Sequence, residues 1–315
     1  MENYEREGFL VLPEVIPQAE IDQLRRVLEN PRIVSAMHEI GPVGQLFEMH
    51  RFDRVFLELA ADPRVVRVAQ AILGPDIQLQ HCKLTYKSGQ VGTGNIHWHQ
   101  DLPFVPHSTT NLLSVFIYVD DATPDNGCMT VVTGSHREGM RTHFRGAEFT
   151  GQCEEPEAYA DVSRHRHVEV RAGGLSVHHA LTLHASSPST SRAPRRLICF
   201  FYRPAGSVQL GGPVWSDTGR QITGSFDGGI RCEAGAYRVP PQPEVGSVTH
   251  GLRWGAYDLT RGALGAELKA TREQLTAARL ELDSVQRSRT VRLARRAAGL
   301  WDRMAAAVRR SAARR

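Results

Sequence analysis

Apolar residues recur at helical spacing in two stretches of the N-terminal third of the chain. Between about Gln18 and Leu28 they fall every three or four positions, with charged residues between them, which predicts an amphipathic helix. A second helical pattern runs from about Phe56 to Leu73. Pro63 interrupts it and predicts either a break or the start of a second helix, because proline lacks the amide hydrogen that a helix interior needs.

From about Ile77 the pattern changes to short β-rich runs separated by turn residues. The predicted strands are Ile77–Tyr86, Leu112–Val119, Met129–Val132, Val168–Val170, Leu175–His178 and Leu197–Tyr202. Many short strands, Gly-rich turns and few helices indicate a mainly β fold of the double-stranded β-helix type, a jelly roll or cupin-like fold. A sandwich of the immunoglobulin type is the alternative, but it leaves the histidine pattern described below unexplained.

The C-terminal part of the chain has a different texture. Residues 207–257 are rich in Gly and Pro and predict loops and irregular strands over one mouth of the barrel. From about 262 to 285, apolar residues recur at spacings of four and three, which predicts a helix with a narrow apolar seam. We therefore expect a jelly-roll domain over 1–257 with flanking N-terminal helices and a C-terminal helical extension. The extension comprises a short coiled-coil-like helix over 258–287 and a basic amphipathic or disordered tail over 288–315.

Composition agrees with a globular chain. Of the 315 residues, 41% are hydrophobic and 23% are charged, which is enough to bury a sizeable core and argues against a disordered, fibrous or membrane-embedded protein. The acidic N-terminus does not resemble a secretory signal. The five cysteines are scattered without paired spacing, which favours reduced thiols in a cytoplasmic protein over a disulfide framework or a zinc site.

The positive net charge belongs to the tail. Residues 288–315 contain nine Arg and one acid, a net charge of +8, so the net charge of +4 for the whole chain leaves −4 for residues 1–287. Such a tail is consistent with self-association or membrane-surface contact, or with a solvated helix or disordered segment. No nucleic acid is expected as a partner, because the charge is terminal and lacks interleaved aromatic residues.

The segment Asn95–Asp101 carries the first candidate chemistry. If it forms one extended strand, the side chains of His99 and Asp101 point to the same face and can hold one side of a metal ion. Two histidines and one carboxylate leave open metal positions for a co-substrate and O₂, which is typical of non-haem Fe(II) oxygenases. A His-X-Asp tripeptide on its own is a weak signal, because histidines in strands are more often structural.

A second segment supplies candidates for the third ligand. His178, His179 and His184 compete for that role, and Arg195 follows eleven residues after His184 at the start of a predicted strand. A guanidinium near the third ligand can bind a carboxylate through two parallel hydrogen bonds, which a dicarboxylate co-substrate needs. The spacing to Arg195 favours His184 over His178.

These residues resemble the phytanoyl-CoA dioxygenase family, from about Glu5 to Pro204. The resemblance is carried by four motifs in the family's order, which are Trp98-His99-Gln100-Asp101, Asp125-Asn126-Gly127-Cys128, Gly134-Ser135-His136, and His184 with Ser186 and Arg195. Four ordered motifs over nearly two thirds of the chain make the resemblance specific.

The resemblance implies a role for each matching residue. By position, His99, Asp101 and His184 bind Fe(II), and Arg195 binds the far carboxylate of 2-oxoglutarate. Ser186 stands where the family often has a serine that supports the same carboxylate. Thr85 stands where a relative has an asparagine that contacts the co-substrate.

The resemblance also implies the reaction. Related halogenases have a small residue in place of the carboxylate ligand, and this chain has Asp101, so we expect hydroxylation of a small organic molecule using Fe(II), 2-oxoglutarate and O₂. The alternatives are desaturation, epimerisation or ring formation at the same metal site, or a non-catalytic jelly roll that binds a ligand. The run 288–293 resembles the end of some bacterial glycosyltransferases, which suggests secondary-metabolite or surface-glycan biosynthesis.

Other polar and aromatic residues near these motifs admit two interpretations. His81 and Lys83 lie on a predicted strand that reaches the pocket, where they contact the co-substrate or substrate or else serve the structure. His97 and Phe104 have the same two interpretations, and Trp98 is expected to pack behind the metal-binding strand.

Overall fold

The computed structural model describes residues 2–233, within which the elements are numbered in chain order. The helices are α1 Glu2–Glu7, α2 Gln18–Leu28, α3 Pro31–Ile40, α4 Val55–Ala60 and α5 Pro63–Leu73. The strands are β1 Phe9–Leu12, β2 Val43–Phe47, β3 Ile77–Lys87, β4 Ile96–His99, β5 Leu113–Tyr118, β6 Met129–Val132, β7 Phe144–Arg145, β8 Glu148–Phe149, β9 His165–Val168, β10 Leu175–His179, β11 His184–Ser186, β12 Arg195–Pro204 and β13 Arg220–Thr223. The predictions for 258–287 and 288–315, and for the end of the 1–257 domain, lie outside the described residues.

Two antiparallel sheets carry the fold. The larger has seven strands in the order β1-β10-β5-β12-β3-β13, with β2 also paired to β3. The smaller has the order β4-β11-β6-β9, and β7 and β8 form a separate hairpin. These two sheets confirm the predicted jelly roll, and the five described α-helices all precede β3 in the chain.

The long strands β3 and β12 pair along ten residues and separate two environments. Every residue of β3 is buried. Leu84 and Tyr86 belong to the apolar cluster that includes the N-terminal helices, whereas the intervening Lys83 and Thr85 line an internal cavity. Strand alternation therefore places apolar side chains against the helices and polar side chains in the interior of the barrel.

The helical predictions are confirmed where the periodicity was strong. Helix α2 has the predicted bounds and buries three apolar residues, Ile21, Leu24 and Leu28. The second pattern is divided at Pro63, which starts α5 after the N-cap Asp62, whose side chain accepts the Arg64 amide hydrogen at 2.8 Å. Helices α1 and α3 were not predicted.

The strand predictions identified β3, β5, β6, β10 and β12 but not β11, which lies inside the smaller sheet. Met129–Val132 has the predicted bounds, and the strands beginning at Ile77 and Leu175 extend one residue further than expected. The prediction of Val168–Val170 is wrong, since β9 is His165–Val168 and Val170 forms an isolated bridge to Ala122. Three of the four residues of β9 are at least partly exposed and polar, so a pattern of apolar residues could not identify the strand.

The structure shows no disulfide among the described cysteines. Cys82, Cys128, Cys153 and Cys199 are buried free thiols, and Cys232 is an exposed one. In the part of the chain that the structure describes, no helix has both the length and the apolar character needed to cross a membrane.

Candidate active site

The candidate metal ligands meet where two short strands pair. β4 and β11 are antiparallel, with His99 directly opposite His184 and their ring centroids 4.0 Å apart. Asp101 follows β4 by two residues. One potential ligand atom from each of the three residues lies within 4.8 Å of the others, and all three side chains are buried.

Asp101 reaches this point in a different way from that expected. β4 ends at His99, and Asp101 has helical dihedral angles (φ −75°, ψ −36°) at the start of a 3-10 turn. The amide of Asp101 donates to the carbonyl of Ala180 at 2.9 Å, and the Gln100 side chain donates to the carbonyl of Leu181 at 2.7 Å. The connection before β11 therefore fixes the turn, so a single extended strand over residues 99–101 is not the geometry that brings the ligands together.

Hydrogen bonds set the orientation of both imidazole rings. Nδ1 of His99 donates to the carbonyl of His97 at 2.8 Å, and Nδ1 of His184 donates to the carbonyl of Thr182 at 2.9 Å. Because a carbonyl only accepts, the lone pair of each neutral ring is on Nε2. Burial lowers the pKa of His184 to about 4 and the pKa of His99 well below its usual value, so both rings are neutral, the form that binds metals.

The carboxylate of Asp101 is held by two partners through one oxygen. Oδ2 accepts from Ser114 Oγ at 2.7 Å and from His178 Nε2 at 2.9 Å, while Oδ1 lies 3.9 Å from Nε2 of His184. His178, the rival third ligand in the sequence, thus lies behind Asp101 and outside the ligand set. Its role was not predicted, because no spacing rule distinguishes a ligand from a histidine that orients one.

The donor set suits a divalent iron ion. Two neutral imidazoles and one carboxylate converge from one side, each oriented by a hydrogen bond to its other polar atom. This is the arrangement of non-haem Fe(II) sites, in which supporting hydrogen bonds raise the affinity of the ligands for the metal.

Arg195 lines the same cavity. Its side chain is buried, and NH1 donates to the carbonyl of Gly127 and, at 3.3 Å, to Ser186 Oγ. Its Nε is buried and has no hydrogen-bond partner among residues 2–233. The cavity is lined by Arg195 and Ser186 together with the three candidate ligands. A buried guanidinium facing a cavity suits a carboxylate, as the far end of 2-oxoglutarate requires.

Lys87 is a further cation beside Ser186 and Arg195 that the sequence pattern did not identify. It is 1% exposed, and its Nζ donates to Ser186 Oγ at 2.5 Å and to the carbonyls of Ser187 and Gly127 at 2.6 and 3.0 Å. Burial and the nearby Arg195 lower the pKa of Lys87 to about 7. The only signal in the sequence was its place on the Lys83-Thr85-Lys87 face of β3.

Gly127 is required by this arrangement. It adopts a positive φ of 68°, and a Cβ on it would overlap Lys87 Nζ and the carbonyl of Ser187. The neighbouring Asn126 side chain accepts the amide of Thr123 at 2.9 Å, which completes a capping box. The Asn126-Gly127 pair therefore serves the turn.

The remaining predicted residues lie at different distances from the site. Thr85 lines the cavity and accepts a long hydrogen bond from the Cys199 thiol at 3.5 Å. Phe104 packs edge-on against His99, with ring centroids 5.9 Å apart. His97 is exposed, and Trp98 stacks on Tyr159 away from the ligands.

Comparison with known proteins places this geometry in context. The family model described as phytanoyl-CoA dioxygenase matches residues 4–197. An ectoine dioxygenase of Stutzerimonas stutzeri is 27% identical over 154 residues, covering 45% of this chain and 51% of the relative. An L-proline trans-4-hydroxylase of Streptomyces griseoviridis is 29% identical over 147 residues, covering 44% of this chain and 54% of the relative. The chain spans about half the length of these curated relatives.

The fold has relatives among solved structures. The non-heme monooxygenase ThoJ in its apo form is similar with a TM-score of 0.57 at 22% sequence identity, covering 76% of this chain and 88% of that chain. At this level of identity the likeness concerns the fold, and it agrees with the two-sheet architecture described above.

Proposed function

The chain belongs to the phytanoyl-CoA dioxygenase family, and we therefore propose that it hydroxylates a small organic molecule using Fe(II), 2-oxoglutarate and O₂. One observation carries the proposal. Buried polar atoms of His99, Asp101 and His184 lie within 4.8 Å of one another in a cavity that also contains the buried guanidinium of Arg195. That is the layout needed to hold a metal ion and a dicarboxylate side by side.

Each residue has a distinct task in this proposal. His99, Asp101 and His184 hold Fe(II), Arg195 and Ser186 hold the far carboxylate of 2-oxoglutarate, and Thr85 lines the space between. When bound, iron and 2-oxoglutarate supply the oxidising chemistry, in which O₂ is reduced and the 2-oxo acid becomes succinate and CO₂. Apolar side chains in the cavity wall keep bulk water away from the reacting groups.

The substrate class rests on the relatives. The two curated relatives are named for ectoine and L-proline, both small molecules, which supports a small-molecule substrate here. The non-catalytic alternative is not supported, because the chain keeps all three ligands and the arginine. Desaturation, epimerisation and ring formation are separated from hydroxylation by product mass, since only hydroxylation adds one oxygen atom.

The test is iron-dependent succinate formation. Purified protein with Fe(II), 2-oxoglutarate and O₂ is screened against small organic molecules, and succinate and product mass are measured. We expect His99→Ala and Asp101→Ala to reduce succinate to the background rate, because each removes a ligand. His97→Ala, which removes an exposed histidine on the same strand, is the matched control and should retain activity. Unchanged succinate formation in Asp101→Ala would contradict the proposal.

A further inference from the structure

Lys83 places a buried ammonium group in the wall of the candidate active site. It lies on β3 opposite Phe47 of β2 and Cys199 of β12, and its residue exposure is 7%. It lines the same cavity as His99, Asp101 and Arg195. No function described above uses this charge.

The groups in contact with the Lys83 ammonium are uncharged. Nζ lies 3.4 Å from Gln45 Oε1, 4.7 Å from the ring centroid of Phe201 and 5.6 Å from that of Phe47. Within residues 2–233, no carboxylate lies at ion-pairing distance from it. These contacts are one amide oxygen and two aromatic rings, so the buried ammonium carries a desolvation cost that a bound anion would offset.

Neighbouring polar atoms also lack partners. Both ring nitrogens of His81, two residues before Lys83 on the same face of β3, are buried without a hydrogen bond in the described part of the chain, and so is Nε1 of Trp215. The His81 ring stacks on Phe201 at 4.2 Å and lies 4.4 Å from Trp215. The nitrogens of His81 and Trp215 therefore offer further hydrogen-bonding groups near the Lys83 ammonium.

Charge balance indicates what binds there. In the proposed function, Asp101 and the carboxylates of 2-oxoglutarate balance the charges of the metal and of Arg195. Lys83 has no ion pair of its own within residues 2–233, and Asp101 acts on its charge only from beyond ion-pairing distance. We propose that Lys83 binds a carboxylate or similar small oxyanion of the substrate, so that the enzyme selects anionic small molecules. This inference rests on the proposed function.

A carboxylate of 2-oxoglutarate itself is the other source of this chemistry, and strand geometry argues against it. Arg195 pairs with Lys87, whereas Lys83 is four residues back along β3, a separation of ~13 Å between Cα atoms in an extended strand. A five-carbon co-substrate held at its far end by Arg195 and Ser186 places its other end at the metal. The far carboxylate is thus assigned to Arg195 and the near one to the metal, so we assign Lys83 to a second molecule.

The test uses trifluoroacetate as an anionic probe, followed by fluorine NMR. The full chain is loaded with redox-inert Zn²⁺ and saturating 2-oxoglutarate, so that the metal and Arg195 are already occupied. We expect saturable binding of trifluoroacetate and none of the neutral trifluoroacetamide. Lys83→Met should weaken trifluoroacetate binding by about tenfold or more, and Lys83→Arg should retain it. Arg54→Met, which removes a charge from an 87% exposed side chain, is the control and should bind as the wild type does.

Two further measurements separate this role from its rivals. If Lys83 serves only the packing of the rings, Lys83→Met lowers the midpoint of thermal unfolding. If Lys83 is an unpaired ligand-binding cation, the midpoint of Lys83→Met is unchanged or higher, because the substitution removes a buried charge. Calorimetry on the Zn²⁺ protein gives the Kd of 2-oxoglutarate. A change in this Kd within about threefold in Lys83→Met supports a substrate site, and a loss of about tenfold or more assigns the charge to the co-substrate and overturns the proposal.

The failure of this inference is distinguishable from failure of the proposed function. Wild-type protein that binds neither Zn²⁺ nor 2-oxoglutarate counts against the proposed function. The probe titration is repeated without metal and co-substrate, so that dependence on Lys83 is judged in either case. Trifluoroacetate binding that is absent, or equal in wild type and Lys83→Met, overturns the Lys83 site.

Discussion

Asp101 is a buried carboxylate that its neighbours keep ionised. Burial raises the pKa of its carboxyl group, but the adjacent His184, the hydrogen bond from His178 and the charge of Lys83 together lower this pKa by more than burial raises it. The net effect holds the pKa of Asp101 well below its usual value. Asp101 is therefore an anion throughout the neutral range. A carboxyl group whose pKa is lower in the folded than in the unfolded chain stabilises the fold above its unfolded pKa, and this stabilisation is lost as the pH falls through the folded pKa.

We predict that His178→Ala weakens metal binding without removing a ligand. Its Nε2 hydrogen bond orients Asp101 Oδ2 at 2.9 Å, and loss of such a supporting bond typically costs 10- to 100-fold in metal affinity. Zn²⁺ affinity measured by competition with a chelator checks this, with His97→Ala as the control. Equal affinities in wild type and His178→Ala would show that Ser114 alone positions the carboxylate.

At the scale of elements, the end of β3 ties the two sheets together. Lys87 is the last residue of β3 in the larger sheet, and its ammonium binds Ser186 of β11 in the smaller sheet and the carbonyls of Gly127 and Ser187 beside it. Arg195 on β12 binds two of the same groups. Burial, together with the adjacent charge of Arg195, lowers the pKa of Lys87 to about 7.

This lowered pKa predicts a pH-dependent contribution to stability. Between about pH 7 and the ordinary lysine pKa of 10.5, the unfolded chain binds one more proton at Lys87 than the folded chain, so stability rises with pH in that window. The free energy of unfolding of wild type minus that of Lys87→Met should increase by about 1.4 kcal/mol for each pH unit. Urea unfolding of both proteins at about pH 8 and 9 measures it, and a constant difference would mean that Lys87 stays charged in the fold.

At the scale of the whole molecule, the site exists only where the two sheets face each other. His99 and His184 come from the smaller sheet, while Lys83, Thr85 and Arg195 come from the larger one. The helices α2, α3 and α5 bury their apolar faces in the same cluster as the outer face of β3. A ligand that contacts both sheets is therefore expected to stabilise the folded molecule as a unit.

We predict stepwise thermal stabilisation by Zn²⁺ and then by 2-oxoglutarate. A ligand at about 100 times its Kd contributes about 2.7 kcal/mol, which corresponds to a rise in Tm of roughly 5 °C for a domain of this size. His99→Ala should lose both steps. Arg195→Met should keep the Zn²⁺ step and lose most of the 2-oxoglutarate step. A full 2-oxoglutarate step in Arg195→Met would contradict the assigned anchor.

Several features followed from the sequence because they depend on local pattern. The burial of Ile21, Leu24 and Leu28 follows from a period of about 3.6 residues, and the break at Pro63 follows from its missing amide hydrogen. The spacing to Arg195, rather than any period, favoured His184 among the three histidines. The pattern could not show His178 behind Asp101 or Lys87 beside Arg195, because those contacts join residues far apart in the chain.

The amino-acid sequence by itself determined the residue types, the alternation along β3 and the order of motifs, since these depend only on neighbours along the chain. The tertiary structure decided which polar groups share one buried space. Pairing of β4 with β11 brought two imidazoles to 4.0 Å, the turn at Gln100 turned Asp101 towards them, and pairing of β3 with β12 placed Lys87 beside Arg195. Long-range strand register sets these distances, and register is fixed by the packing of both sheets rather than by any local run of residues.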